Sequence, residues 1–167
     1  MSDILAIYPG SFDPITNGHL DIIDRGTRIF DRLCVAVLTN LEKAPLFTVD
    51  ERVDMLRQVT SGMRNVTVDR FSGLLVDYAI EKKARAILRG IRAISDYEYE
   101  LQMALMNRKL QPNLETVFLM PKLSYTYLSS RLVKEVFEHG GSVKDLVPPL
   151  VEQRLQQKLA RSVVRSS

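Results

Sequence analysis

Short apolar runs rich in β-branched residues alternate along the chain with longer segments whose apolar positions recur every three or four residues. The runs at 4–8, 33–38, 66–71, 86–88 and 116–120 predict five strands. Between the first two, Leu20, Ile23, Thr27 and Phe30 share one helical face, and after the second Val49, Val53, Leu56 and Val59 do the same. Thr48 and Glu51, three residues apart, form a capping box that starts this second helix. Helical period also predicts helices at 75–82, 96–110, 128–138 and 149–160, with Gly140-Gly141 as a stop after the fifth. Strand and helix in alternation make an α/β fold: an open, Rossmann-like sheet of five parallel strands with helices on both faces. No repeat or linker divides it. A single domain over 1–160 is expected, with the basic stretch 161–167 set apart as a candidate for disorder.

Composition narrows the setting. At 167 residues one core suffices, and 46% hydrophobic with 26% charged residues is an ordinary globular mix. The formal charge is only +3, with acids interspersed among the bases except from Arg154 to Arg165, so a general polyanion-binding surface is a weak reading. The lone cysteine, Cys34, lies inside an apolar run, which excludes an internal disulfide and a thiolate metal cluster. With no cationic leader before an apolar segment, and no apolar stretch near the ~20 residues that span a bilayer, a cytoplasmic protein is expected.

In an open parallel sheet, ligands bind beyond the carboxyl ends of the strands, where strand order reverses. The loops that follow strands therefore carry the candidate chemistry. The first, at 9–18, contains Gly10 and Gly18 and leads into His19 at a helix start, which suits an anion. It lacks both the Gly-Lys-Ser/Thr of a Walker loop and the GxGxxG dinucleotide pattern. The second loop carries Lys43, a mobile ammonium able to neutralise phosphate. The fourth, placed at 89–95, opens Arg89-Gly90-Ile91-Arg92, two guanidiniums astride a glycine, suited to bidentate anion binding. The fifth leads to Ser129 and Ser130 at a helix start, able to offer donors to phosphates, with Arg131 and Lys134 nearby; taken by itself, that pattern is better explained by ordinary N-capping.

The element Thr16-Asn17-Gly18-His19, taken with the Ser129-Ser130 helix start, resembles the T/HxGH nucleotidyltransferase superfamily. The fuller pattern resembles the phosphopantetheine adenylyltransferase family: YPGSFDPITNGH at 8–19, KAPLF at 43–47, RGIRAISDYEYELQMALMNRKL at 89–110, VFLMP at 117–121 and SSRLVKE at 129–135. This likeness implies transfer of AMP from ATP to 4′-phosphopantetheine, giving dephospho-CoA and pyrophosphate, with Mg²⁺ accompanying ATP. It implies His19, Lys43 and Arg92 as catalytic residues, with His19 holding the ATP phosphates. Ser11 and Phe12 would line the nucleotide site, and Gly90, Ile91, Arg92 and Glu100 would contact ATP. So would Tyr125, Thr126, Tyr127, Leu128, Ser129, Ser130 and Arg131. Lys43 and Arg89 would grip the acceptor's phosphate, with Ser11 beside it and Arg89 also facing ATP; Leu75, Tyr99, Met103 and Asn107 are candidates for the pantetheine arm. Ser11 stands where threonine also occurs in the family, and Arg131 where many members have a third serine.

The implied nucleophile is a phosphate oxygen, already anionic near neutral pH, so no side-chain base is required, and none of these loops shows a serine or cysteine triad. No dedicated metal cage is expected. The fourth helix carries two apolar stripes, Tyr99-Met103-Met106-Leu110 and Leu101-Leu105, which predict burial on two sides, against the core and another subunit or a ligand arm; the resemblance implies a homohexamer. The rival readings are a sister nucleotidyltransferase acting on nicotinamide mononucleotide or glycerol phosphate, a non-catalytic nucleotide sensor, and a nucleic-acid binder. The last is disfavoured because the tail after Gln153 has no aromatic to stack on bases; neither nucleic acid nor membrane is an expected partner.

Overall fold

The computed structural model of the chain describes residues 3–39 and 45–166, and at 94, 95, 159 and 161–166 the backbone alone. The strands are β1 (Leu5–Gly10), β2 (Arg32–Leu38), β3 (Val66–Phe71), β4 (Ala86–Gly90) and β5 (Glu115–Leu119). They alternate with α1 (Asn17–Ile29), α2 (Val49–Val59), α3 (Leu75–Glu81), α4 (Ile94–Leu110) and α5 (Ser130–Glu138), and α6 (Pro149–Ser166) closes the chain. All five strands are parallel, in the order β3-β2-β1-β4-β5. None of the described helices is long and apolar enough to cross a membrane.

The order explains where a ligand can enter. After β3 the chain crosses back over the sheet and lays β4 on the other side of β1, so direction reverses between β1 and β4. Along β2, β1 is paired from Leu5–Arg32 through Gly10–Val37, whereas its bridges to β4 are Ala6–Ala86 and Ile7–Ile87. Tyr8, Pro9 and Gly10 on one strand and Leu88, Arg89 and Gly90 on the other lie past the last bridged pair. The sheet thus parts at its carboxyl edge.

Side chains alternate across the strands and build two cores. Ala6, Tyr8, Leu33, Val35 and Val37 face α1, α2, α5 and α6, meeting Ile22, Ile23, Val53, Leu56, Val133, Val151 and Leu155. On the other face Leu5, Ile7, Cys34 and Ala36 meet Val76, Tyr78 and Ala79 of α3. Cys34 is a free, buried thiol. Because the middle strands are covered on both sides, their sequences read as unbroken apolar runs.

Several boundaries differ from the sequence expectation. β4 continues two residues to Gly90 because its register with β5 carries on through Arg89–Phe118 and Gly90–Leu119. Arg89 and Gly90 are therefore strand residues, not loop residues. Leu128 precedes α5, buried in the core, and Ser129 is the N-cap. α6 continues past residue 160 to Ser166, where the sequence offers no glycine or proline to stop it.

The larger surprise is α4. Its apolar residues face outward: Tyr99, Met103, Leu105, Met106 and Leu110 are 41–62% exposed, while its buried positions on this chain are the polar Glu100 and Asn107. Within one chain the helix is therefore not buried on two sides. Glu100 and Asn107 are seven residues apart, one face of a helix, and that face is the one turned to the domain.

The capping box at α2 forms as the spacing predicts, with the Glu51 amide donating to Thr48 Oγ1 at 3.2 Å and the Thr48 amide to Glu51 Oε2 at 2.8 Å. Thr48→Ala is expected to lower stability by about 1 kcal/mol, a fall of roughly 2–4 °C in a thermal melt; an unshifted melt would show that α2 does not need the cap.

Candidate active site

The parted ends of β1 and β4, the loop from β1 to α1, and the start of α5 enclose a cavity of about 320 Å³. Its floor is Tyr8, Pro9 and Gly10; His19 and Ile22 of α1 form one wall; Arg89, Gly90, Arg92 and Glu100 form another; Tyr125, Leu128, Ser129 and Ser130 close it.

His19 is held by a second capping box. The Thr16 amide donates to His19 Nδ1 at 3.0 Å, and the His19 amide donates to Thr16 Oγ1 at 3.3 Å. The histidine occupies the position that glutamate holds in the box at Thr48. Since Nδ1 accepts a backbone N–H, a neutral ring carries its proton on Nε2, the nitrogen left for a ligand. The ring is neutral: burial first, and then the nearby Arg92 and Arg89 guanidiniums, push its pKa down to about 4. A neutral donor therefore sits at the N-terminus of a helix, among cations.

Phe12 fixes the ring from the other side. It is buried with φ 48°, a left-handed conformation unusual for a bulky residue and costing of order 1–3 kcal/mol. Its ring meets those of His19 and Tyr8 edge-on, with centroids 5.2 and 5.3 Å away. Gly10 makes room for it, since a Cβ there would lie 3.0 Å from the Phe12 ring. The glycine expected to bring backbone near a phosphate thus also accommodates an aromatic wedge. Burial raises the Tyr8 hydroxyl pKa well above the ordinary tyrosine range against the pull of Arg89 and Arg92, so Tyr8 stays protonated.

Both guanidiniums are already oriented. Arg89 donates through Nε to Glu100 Oε2 at 2.8 Å, through Nη2 to Glu100 Oε1, and through Nη1 to the Pro9 carbonyl at 3.1 Å. Although burial works against its charge, this pairing holds its pKa above the usual arginine value. Arg92 donates through Nε to Asp96 at 3.2 Å and through Nη1 to the Leu128 carbonyl at 2.9 Å. Each terminal nitrogen of Arg89 makes one bond and carries a second N–H.

Ser129 accepts from the Leu132 amide at 3.1 Å, which is N-capping, and Ser130 donates to the Pro14 carbonyl at 2.7 Å, tying α5 to the first loop. The capping explanation therefore holds for Ser129 and not for Ser130, and both serines line the cavity as well. Asp21 binds the other side of the same region, accepting from the Lys122 amide at 2.9 Å.

Of the residues singled out in the sequence, Ser11, Phe12, His19, Arg89, Gly90, Arg92, Glu100, Tyr125, Leu128, Ser129 and Ser130 line this one cavity. Lys43 lies outside the described residues. Ile91 is half-buried, its amide bonded to the Leu119 carbonyl, and Thr126 donates to the Leu123 carbonyl. Tyr127 and Arg131 are exposed and do not line the cavity. Tyr99 and Met103 sit on the outer face of α4, since each residue along a helix turns about 100° and Glu100 takes the inward direction. Asn107 is buried beyond the cavity, and Leu75 packs on the core beneath the opposite face of the sheet. Residues not anticipated include Tyr8, Thr16, Asp96 and Pro121, which line the cavity. The Thr-x-x-His spacing of a capping box was a readable signal for Thr16.

Comparison with known proteins shows the family. The cytidylyltransferase-like family matches residues 7–136. The phosphopantetheine adenylyltransferase of Caldanaerobacter subterraneus subsp. tengcongensis is 54% identical over 158 residues, 95% of this chain and 99% of that protein. That of Alkaliphilus metalliredigens is 57% identical over 154 residues, 92% and 98% of the two chains. A solved Vibrio parahaemolyticus structure, provisionally assigned as a nicotinate-nucleotide adenylyltransferase, superposes with a TM-score of 0.66 at 17% identity over 93% of this chain and 99% of that one, a likeness of fold.

The state of His19 has a signature. A histidine in an unfolded chain titrates near ~6.5, and the folded ring at about 4. The folded chain therefore binds this proton less readily, so the contribution to stability is complete above about pH 6.5 and drains away as pH falls toward about 4. The urea midpoint of the wild-type protein is expected to fall more steeply across that window than that of His19→Gln; parallel curves would mean that the folded ring takes up its proton as readily as in the unfolded chain.

Proposed function

This chain belongs to the phosphopantetheine adenylyltransferase family of cytidylyltransferase-like enzymes, and we propose that its cavity joins the AMP half of ATP to 4′-phosphopantetheine. It is a nucleotidyltransferase of coenzyme A biosynthesis. An oxygen of the acceptor's phosphate attacks the α-phosphorus of ATP; the bond from that phosphorus to the β-bridging oxygen breaks, and pyrophosphate departs with the electron pair, leaving dephospho-CoA. Because the nucleophile is already an anion, the protein's task is to hold two anions in line and to meet charge as it develops.

The observation that carries the residue assignments is the convergence of His19, Arg89, Arg92 and the α5 helix start on one crevice at the strand-reversal point. His19, neutral and donating from Nε2, supplies a hydrogen bond to the α-phosphate without repelling the adjacent guanidiniums. Arg92 neutralises the triphosphate, and Arg89, through its remaining N–H groups, reaches toward the phosphates. Ser11 and Phe12 shape the nucleotide side, and Lys43 is the expected cation for the acceptor's phosphate. Among the described residues no three His, Cys, Asp or Glu side chains cluster to hold a metal, and the cavity carboxylates Asp96 and Glu100 are engaged by arginines. Mg²⁺ would arrive with ATP and supply neutralisation of the triphosphate's charge.

The same family membership supports a homohexamer, for which the outward apolar face of α4 provides a surface. Light scattering is expected to give six chains, and Leu105→Glu to give smaller species; a wild-type monomer at working concentration would contradict the assembly.

Incubation with ATP, Mg²⁺ and phosphopantetheine is expected to yield dephospho-CoA by mass, and His19→Ala to lower kcat by roughly two orders of magnitude while the fold survives. Unchanged turnover in a folded His19→Ala protein would remove His19 from the chemistry, and product formed only with another phosphorylated acceptor would move the enzyme to a sister activity.

A further inference from the structure

Among the described residues two tyrosines are buried to nearly the same depth, Tyr8 at 5% and Tyr78 at 6% exposure, but their hydroxyls differ. Tyr78, on α3 beneath the opposite face of the sheet, donates to Asp69 Oδ2 at 2.9 Å, and its oxygen lies 3.5 Å from Cys34 Sγ. Tyr8, near the carboxyl end of β1, has no hydrogen-bond partner for its hydroxyl among the described residues.

A phenylalanine would serve the packing at position 8 equally well. The Tyr8 ring stands edge-on to Phe12, with centroids 5.3 Å apart, and belongs to the core that α1 covers; neither contact needs the oxygen. A buried hydroxyl without a partner is a net cost to the fold. The oxygen is not sealed among protein atoms, however, because Tyr8 lines the cavity. Gly90 leaves it uncovered on that side: a Cβ on Gly90 would stand 4.0 Å from the hydroxyl.

Two guanidiniums lie nearby. Arg89 bonds the carbonyl of Pro9, the next residue, at 3.1 Å, and Arg92 borders the same cavity; both act electrostatically on the phenol. The carboxylate in reach, Glu100, is taken up by Arg89. Burial outweighs the pull of the arginines, so the phenol keeps its proton and can donate. Phe12 fixes it in relation to His19: both rings meet Phe12 edge-on, at 5.3 and 5.2 Å, so one buried aromatic holds two uncharged donors. Fixed cations draw an anion, and a neutral O–H beside them bonds an anionic oxygen more strongly than a neutral one.

We infer that the Tyr8 hydroxyl is a nucleotide-binding group, donating to a phosphate oxygen of ATP seated among His19, Arg89 and Arg92. The inference rests on reading the cavity as the seat of ATP's phosphates. The partner that the chain does not provide for this oxygen is then provided by the ligand, and the hydroxyl works against the fold while it works for binding.

Tyr8→Phe removes the oxygen and keeps the ring; Tyr78→Phe does the same at the tyrosine whose hydroxyl is bonded internally. Thermal melts are recorded without ligand, affinities for ATP with Mg²⁺ and for phosphopantetheine are measured by calorimetry, and adenosine, which lacks phosphate, is measured by competition. Tyr8→Phe is expected to melt at or above the wild-type temperature and to bind ATP about tenfold or more weakly, the scale of a hydrogen bond to an ionised acceptor. Its affinities for phosphopantetheine and adenosine stay within about twofold of wild type. Tyr78→Phe is expected to show the reverse, a lower melt with ATP affinity unchanged. ATP affinity within about twofold of wild type in Tyr8→Phe overturns the proposal. So does a melt lowered as far as that of Tyr78→Phe, a loss shared equally by adenosine, which would put the phenol on the nucleoside, or a loss confined to phosphopantetheine. Calorimetry with ATP needs no turnover, so a wild-type enzyme inactive on phosphopantetheine would end that substrate reading and leave this test in force.

Discussion

An uncharged imidazole lodged beside two permanent cations is the constraint around which the site is arranged. A histidine in that place would repel Arg89 and Arg92 if it took up a proton, and burial already disfavours the charge. The capping box supplies the other half of the arrangement by engaging Nδ1 with a backbone N–H, which settles the tautomer and leaves Nε2 as the donor. Phe12, forced into a left-handed backbone, braces the ring edge-on. Local strain, a helix cap and an electrostatic field thus act on a single side chain.

The arginines show the same economy of motion. A guanidinium free in solvent has to be desolvated and oriented when substrate arrives, and each immobilised long side chain costs about 0.5–1.5 kcal/mol. Arg89 and Arg92 are oriented beforehand by Glu100, Asp96 and two carbonyls. Their carboxylate partners neutralise part of the charge. The N–H groups that these bonds leave over belong to guanidiniums already held in place.

Much of this was legible in the residues. Strand and helix order follows from hydrophobic period, because the central strands are covered on both faces and the helices on one. The location of the crevice follows from topology once the sheet is known to be parallel. The Thr48 box is legible in its spacing, and its twin at Thr16 carries the same spacing with histidine in the acid's place. Other features were hidden for physical reasons. The extension of β4 through Arg89 depends on register with β5, a contact between segments 25 or more residues apart that local patterning does not encode. No local pattern singles out Asp13 or Arg52, since only the folded chain brings Leu38, Ser11 and Phe47 around one guanidinium. The outward apolar face of α4 was seen as a wide stripe, but which side met its own domain depended on the Glu100–Arg89 pair.

That pair gives α4 two unlike sides with one backbone between them. Its inward carboxylate steadies a guanidinium in the crevice, and its outward methionines, leucines and tyrosines present oily surface to whatever lies beyond. A helix is stiff along its length, so a lateral shift imposed from outside carries Glu100 with it and moves the anchor of Arg89. Neighbouring contacts on that exterior and the aim of an arginine that lines the crevice are thereby mechanically joined through a single turn of backbone.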